Sequence, residues 1–376
     1  MSPETEQIPL SSPDIGELEE TLVLEALRSG QLSLGPMLER FERAFAAWLG
    51  VGDAVAVSSG TSALHLAVRG LGWGDGDEVL TSPFSFVASA NCLLYEGARP
   101  VFCDVDPATL NIDPAAAAEA VGPKTAGILP VHIFGWPAAM PELEELTSDR
   151  GLGIVEDACE ALGAADVEGV KVGARGNTAA FAFYPNKQMT TGEGGMLIPP
   201  DADAAARYRS ERNQGRAADM EVVEHERLGF NYRLSDLACA LGVAQLQRLD
   251  ELLQRRARLA DLYAEGLAGI EGLETPAAAQ GSARRGWFVY FVLLPDGADR
   301  EAVIRALADE GIQSKAYMPC IHLFPFYRER LGYGEGRFPV AERAAARNLA
   351  LPFFTTMRER QVERVCEALS RALQPA

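Results

Sequence analysis

The sequence predicts an α/β protein: a large domain over residues 1–240 with a mostly parallel sheet flanked by helices, then residues 241–376 as a bridging helix and a smaller α+β C-terminal domain. Three observations predict it. Short apolar runs of strand length alternate with helical patterns from Ala54 to Glu156, and such alternation calls for parallel strands joined by crossover helices. A long helical pattern from Ser235 to Leu267, rich in Leu, Ala, Gln and Arg, leads out of that alternation. Beyond it the spacing changes to a single strand, Arg284–Leu294, and helices at Arg300–Glu310 and Val362–Leu373.

In chain order, Ile15, Leu18, Leu22 and Leu27 fall near helical spacing between Pro13 and Arg28, with Ser12 as cap and Gly30 as stop. A second helix, Met37–Leu49, places Leu38, Phe41, Phe45 and Trp48 on one face and ends at Gly50. The alternating units follow: strand Ala54–Val57 and helix Thr61–Arg69, strand Glu78–Thr81 and helix Ser85–Tyr95, then strand Pro100–Cys103. Strand Ala126–Pro130, helix Pro141–Arg150 and strand Gly153–Glu156 come next, and strands near Thr178–Phe183 and Gly195–Ile198 complete the sheet.

Composition narrows the function. A length of 376 residues with 48% hydrophobic content is that of an ordered protein able to bury a large core. The formal charge of −19 argues against nucleic acid as a partner, because an acidic surface repels backbone phosphates. Six scattered cysteines with no CxxC pair predict no disulfide framework, and the four histidines show no metal-ligand spacing. The first residues, MSPETEQIPLSSPD, lack a basic region followed by an apolar one, and no run of 18 uncharged apolar residues occurs, so no membrane association and a cytoplasmic protein are expected.

Four stretches carry chemistry. Lys187 lies between the apolar, β-prone run Thr178–Tyr184 and the turn-forming run Thr190–Gly195. A lysine at the end of a buried strand loses hydration, which favours the neutral amine able to add to an aldehyde; the ordinary alternative is a solvated loop lysine. SSGTSALH, Ser58–His65, follows an apolar strand and opens a helix, so Gly60, Thr61 and Ser62 suit phosphate, or simply cap the helix. In GIVEDACEALGA, Gly153–Ala164, Asp157 ends a buried strand, where it can hold a protonated ring nitrogen or serve as an N-cap; Glu160 is one turn on. TSPFSFVASAN, Thr81–Asn91, offers Phe84 and Phe86 for stacking on a flat ring or for the core. Phosphate cradle, stacking aromatic, pyridinium partner and Schiff-base lysine together describe a site for pyridoxal 5'-phosphate.

With SGQLSLGPMLERFERAFAAWLG, SSGTSALH, EDACEALGA, FAFYPNKQMTTGEGG, LGFNYRLSDLACALG and HLFPFY at 322–327, nearly the whole chain resembles the DegT/DnrJ/EryC1/StrS aminotransferases. These are pyridoxal-phosphate enzymes that aminate keto sugars attached to nucleotides. The resemblance implies the type I fold of PLP-dependent transferases, similar to aspartate aminotransferase. It implies that Lys187 holds the cofactor and shuttles the proton, Asp157 pairs with the ring nitrogen, Glu160 touches the cofactor and Phe86 stacks on it. Gly60, Thr61 and Ser62 would form the phosphate loop. Asn231 would reach the phosphate from the other subunit, implying a homodimer with shared active sites. His322, Tyr184 and Glu193 are the expected substrate contacts. The chain departs from the family pattern in having Ala182 where many members have a phosphate-binding Ser, and Glu160 where Gln is commoner.

The implied reaction is a transamination in two halves, with glutamate as donor and a nucleotide-linked keto sugar as acceptor. TTGEGG resembles members acting at C4 of a 4-keto-6-deoxyhexose, perosamine synthetase among them, more than the C3-acting branch. A C3-acting enzyme, an enzyme of the same fold acting on amino acids, and a non-catalytic PLP-binding regulator are the alternatives. A related dehydratase has His at the position of Lys187. Arg212, Arg216, Arg227 and Arg233 are candidate pyrophosphate contacts or solvated surface residues.

Overall fold

A computed structural model describes residues 6–217, 224–277 and 279–374, so part of the N-terminal stretch read above lies outside the described residues. The central sheet has seven strands: β1 Val55–Val57, β2 Glu78–Thr81, β3 Arg99–Phe102, β4 Thr125–Leu129, β5 Gly153–Asp157, β6 Thr178–Ala182 and β7 Gly195–Ile198. Their order is β1-β7-β6-β5-β4-β2-β3. From β3 through β6 every pairing is parallel, while β7 runs antiparallel to both β6 and β1. Around the sheet lie α1 Glu17–Ser29, α2 Pro36–Leu49, α3 Gly60–Gly70, α4 Ala88–Tyr95, α5 Pro114–Ala120, α6 Met140–Ser148, α7 Ala202–Arg212 and α8 Asp236–Gln247. Helix α9, Leu249–Gly266, is followed by the short hairpin β8 Ala279–Gln280 and β9 Ala283–Arg284, then β10 Tyr290–Leu293, α10 Arg300–Asp309, α11 Pro325–Leu331, α12 Pro339–Arg347, β11 Asn348–Leu351 and α13 Glu359–Ala372.

Successive side chains of a strand face opposite ways, and here the two faces bury different cores. Val55, Val57, Ala180 and Leu197 pack with Leu64 and Val68 of α3. Ala56, Ala179, Phe181, Met196 and Ile198 pack with Phe41 and Phe45 of α2 and with α8. Phe45 meets Phe181 and Phe183 edge to face at 5.4 and 5.8 Å, and truncating such a buried ring costs about 3–5 kcal/mol. A third core joins α9, α10 and α13 to β10 and β11.

Several elements differ from expectation, and α5, α7, α11, α12 and β11 were not expected. The first helix begins at Glu17 with Gly16 as N-cap, because Glu19 reaches back to the Gly16 N–H at 2.8 Å and Arg248 holds Asp14 at 2.9 Å in the preceding segment. Helix α4 starts at Ala88 rather than Ser85, since the Ser82 hydroxyl accepts the Phe84 N–H and turns the chain. The expected helix Ser235–Leu267 breaks at Arg248, where the side chain bonds Asp14 and Glu19 at 2.9 Å each. The break lets α8 pack on α1 and α2 while α9 turns toward α13. The expected strand Arg284–Leu294 is split: Arg284 pairs with Ala279 in the β8–β9 hairpin, and the ladder with β11 covers Tyr290–Leu293. Before it, Gly286 donates to the Gly135 carbonyl at 2.9 Å, and a Cβ on Gly135 would lie within 2 Å of the Gly286 oxygen.

Residues near the N-terminus lie along the C-terminal elements. Ile8 is fully buried in the core of α9, α10 and α13, and its backbone bonds Gly311 and Gln313 at 2.9 and 3.0 Å.

Candidate active site

A cavity of about 420 Å³ opens where β5 and β6 end and α3 begins, the edge of a doubly wound sheet at which ligands sit. Lys187, Asp157, Glu160, Gly60, Thr61, Phe86, Tyr184 and Glu193 all line it. The sequence stretches picked for chemistry therefore converge, and most of their candidate residues line one cavity.

Lys187 stands in a loop that folds back on the end of β6. The Thr190 hydroxyl and Thr191 N–H both donate to the Phe183 carbonyl at 3.0 Å, and the Phe183 N–H donates to the Gly194 carbonyl at 2.9 Å. Gln188 donates to the carbonyls of Glu160 and Gly286 at 2.7 and 3.0 Å, which pins the lysine's neighbour to two other segments. The lysine side chain is 13% exposed. Its Nζ lies 3.9 Å from the Phe288 ring centroid and 4.0 Å from Glu160 Oε1.

Asp157 is nearly buried, and its carboxylate accepts the Ser89 hydroxyl at 2.6 Å and the Cys159 N–H at 3.1 Å. Its backbone bonds the Pro130 carbonyl and the His132 N–H, so both main chain and side chain are fixed. Glu160 accepts the Phe134 N–H at 2.8 Å. Burial pushes its carboxyl up to about 7, against the opposing pull of Lys187 and the Phe134 N–H, with the charge of Asp157 adding to the rise. Phe134 itself has φ of 52°, a left-handed conformation for a bulky residue. Arg285 and Asn111 hold it there, bonding the Phe134 carbonyl and the Ile133 N–H at 2.8 Å each.

Of the two candidate aromatics, Phe84 is fully buried against Phe134, whereas Phe86 is 62% exposed at the cavity. At the start of α3, Ser59 caps the helix by accepting the Ser62 N–H at 3.0 Å. The first-turn N–H groups of Gly60 and Thr61 have no carbonyl within the helix to donate to. A Cβ on Gly60 would lie 2.6 Å from the Ala182 Cβ, so the helix end is pressed against β6 at the position where the family pattern often has Ser. The Ser62 hydroxyl is bonded to those of Ser58 and Ser59 at 2.9 Å, and Ser62 is not among the residues lining the cavity.

His322 and Asn231 lie outside this cavity, the second as a residue expected to serve another subunit's site would. His322 is fully buried, because the short helical turn Ile321–Leu323 directs its ring into a cluster with Phe102, Tyr333 and Phe338, where Nε2 lies 3.1 Å from Glu342. Desolvation pushes its pKa down, against Glu342. Asn231 is exposed and bridges Asn213, outside the cavity of its own chain. Among the candidate arginines, Arg212 is buried and bound to Glu42 and the Ala56 carbonyl, which removes it from the surface. Tyr317, Asn186 and Cys159 line the cavity without having been singled out, and Asn186 donates to the Tyr317 hydroxyl at 3.3 Å. Tyr317 follows α10 in a loop with no periodicity, and nothing in the sequence marks it.

Among the described residues, no group of three or more His, Cys, Asp or Glu is placed to hold a metal, and no helix is long and apolar enough to cross a membrane. An amine, a held carboxylate and a helix N-terminus meet at the carboxyl edge of a mostly parallel sheet, where enzymes of the α/β class bind their ligands. The model of the DegT/DnrJ/EryC1/StrS aminotransferase family matches residues 13–370, and the chain belongs to that family. It is 38% identical over 375 residues to the spore coat polysaccharide biosynthesis protein SpsC of Bacillus subtilis (strain 168), covering 96% of each chain. It is 36% identical over 370 residues to the GDP-perosamine synthase of Caulobacter vibrioides, covering 98% of each. The crystal structure of S. venezuelae DesV in complex with a ketimine intermediate superposes with a TM-score of 0.91 at 34% identity, over 99% of this chain and 100% of that one. The protein is thus an aminotransferase, with the type I architecture of PLP-dependent transferases.

Proposed function

We propose that this aminotransferase binds pyridoxal 5'-phosphate in the cavity and transfers an amino group from glutamate to C4 of a nucleotide-linked 4-keto-6-deoxyhexose. One observation carries the reading: Lys187, the carboxylate of Asp157 and the first turn of α3 face a single cavity of about 420 Å³. The residues fit the cofactor. Gly60 and Thr61 offer free N–H groups and a helix dipole to a phosphate. Asp157, held by Ser89 and Cys159, would accept from a protonated ring nitrogen, and Phe86 and Glu160 of the same lining would contact the ring.

When bound, the cofactor supplies an electron sink and carries the amino group between the two half-reactions. Lys187 would hold it through Nζ, and the same atom would take and return the proton. Phe86, Tyr184 and Tyr317 give the cavity aromatic walls that limit water. Tyr184 and Glu193, also in its lining, are the substrate contacts of this reading, while His322 supports the 321–324 turn from within. Asn231, exposed and outside its own cavity, would reach the phosphate of a second copy in a homodimer with shared active sites. Residues 1–240 then form the cofactor domain and residues 241–376 the domain that brings Phe288 and Tyr317 to it.

The test is incubation with 15N-labelled glutamate and a panel of nucleotide-linked 4-keto and 3-keto sugars, read by mass spectrometry. Label in a 4-amino sugar is the expected result; label only in 3-amino sugars, or in none, overturns the substrate assignment.

A further inference from the structure

Behind the cavity a second cation approaches Lys187 from the protein side. Arg256, on α9, is 3% exposed, and its guanidinium donates to the carbonyl of Lys187 at 3.1 Å. The same group donates to the carbonyls of Phe288 at 3.2 Å and Trp287 at 3.5 Å, and it lies over the Phe353 ring at 5.4 Å. No carboxylate is within ion-pair distance of it among the described residues. Burial pushes its pKa down to about 10, with Asp14 acting from farther away in the opposite direction.

A cation enclosed without a close carboxylate is unfavourable for stability, and a methionine of similar length would fill the space without that penalty. What methionine lacks is the planar fork that can bond several carbonyls at once. Two of the residues whose carbonyls it holds also meet at the reacting amine: Lys187 itself, and Phe288, whose ring lies 3.9 Å from Lys187 Nζ. We propose that Arg256 is a positioning residue for Lys187, clamping the lysine's main chain to the Trp287–Phe288 segment so that Nζ is held between the Phe288 ring and Glu160. The proposal rests on the aminotransferase reading. Lys187 performs the chemistry, and Arg256 acts only through it.

The experiment compares wild type, Arg256→Lys and Arg256→Met in two readouts. One is the rate at which apoprotein Lys187 is trapped by pyridoxal 5'-phosphate with cyanoborohydride, read from the mass of its peptide. The other is kcat and KM for the accepted sugar, with thermal unfolding as the check on folding. Arg256→Lys keeps the charge but cannot span both carbonyls. It is expected to fold, to trap Lys187 about tenfold more slowly, and to lose about 10–100-fold in kcat with KM within about twofold, as misplacement of a reacting group predicts. Arg256→Met, where it folds, is expected to lose more. Wild-type trapping and kcat in Arg256→Lys, or a loss confined to KM, would overturn the proposal even if Arg256→Met fails to fold. A wild-type protein that neither traps the cofactor on Lys187 nor turns over removes the underlying reading, a result distinct from a working wild type with unaffected variants.

Discussion

Glu160 Oε1 stands 4.0 Å from Nζ of Lys187, while its other carboxyl oxygen accepts the Phe134 N–H at 2.8 Å. The acid is therefore shared between the amine and a loop held in a left-handed turn. Its carboxyl, raised to about 7, changes charge in the neutral range.

This gives a pH prediction with a definite sign. A carboxyl raised in the folded state from 4.5 to about 7 binds its proton more tightly when folded, so its contribution to stability is full below 4.5 and lost as pH rises through 7. Thermal unfolding of the apoprotein between pH 5 and 8 should show this fall in wild type, relative to Glu160→Gln, which keeps the shape without the charge. The kcat–pH profile should likewise lose an ionisation near 7 in the variant. Parallel curves for the two proteins would contradict the assignment.

Asp157 is expected to matter through its charge. Asp157→Asn can still accept the Ser89 hydroxyl but turns its amide nitrogen toward the Cys159 N–H, so a modest loss of stability should accompany a fall in kcat of about 10²–10⁴-fold. Ser89→Ala removes one bond to that carboxylate, and should cost about 1.5–3 kcal/mol of stability with a smaller loss of rate. Steady-state kinetics beside thermal unfolding separates the two effects; a variant Asp157→Asn with wild-type kcat excludes the ring-nitrogen role.

Gly60→Ala tests the packing of the α3 terminus. The new methyl would lie 2.6 Å from the Ala182 Cβ and 2.9 Å from the Cys159 sulfur, so the helix end must shift, at about 1–3 kcal/mol. Equilibrium binding of pyridoxal 5'-phosphate should weaken along with the melting temperature, and Ala182→Gly in the same protein should restore part of both.

One enclosed water is expected beside Arg256. Arg256 Nε, Gln188 Oε1 and Asp14 Oδ2 are buried without hydrogen-bond partners among the described residues, and the three residues line one cavity of about 10 Å³. That volume suits a single water, which can accept from the one donor and donate to both acceptors. A crystal structure that places solvent should show it bonded to all three; a closed, dry contact would contradict this.

Most of the sheet was legible in the sequence because its strands are short apolar runs between helical patterns, and the site stretches were legible because strand ends and helix starts carry their own residue signatures. What escaped depends on contacts between distant parts of the chain. Nothing near Arg248 opposes helix; the break follows from Asp14 and Glu19, more than two hundred residues earlier. Helix α7, rich in Ala and Arg with no clear apolar face, and β11, four residues directly after α12, lack periodic signals. The motif around His322 was recognisable, but the inward turn of its ring is set by Phe102 and Phe338. Tyr317 and Phe134 reach the site region from loops that no residue pattern marks.

The central claim is that Lys187 holds a cofactor through which glutamate gives up its amino group. The visible absorption spectrum of wild type beside Lys187→Ala, before and after glutamate, tests it most directly. Wild type is expected to carry the band of lysine-bound pyridoxal phosphate, which glutamate converts to the pyridoxamine form, and the variant to show no such conversion. A wild-type protein that binds no cofactor, or one whose spectrum glutamate leaves unchanged, would contradict it.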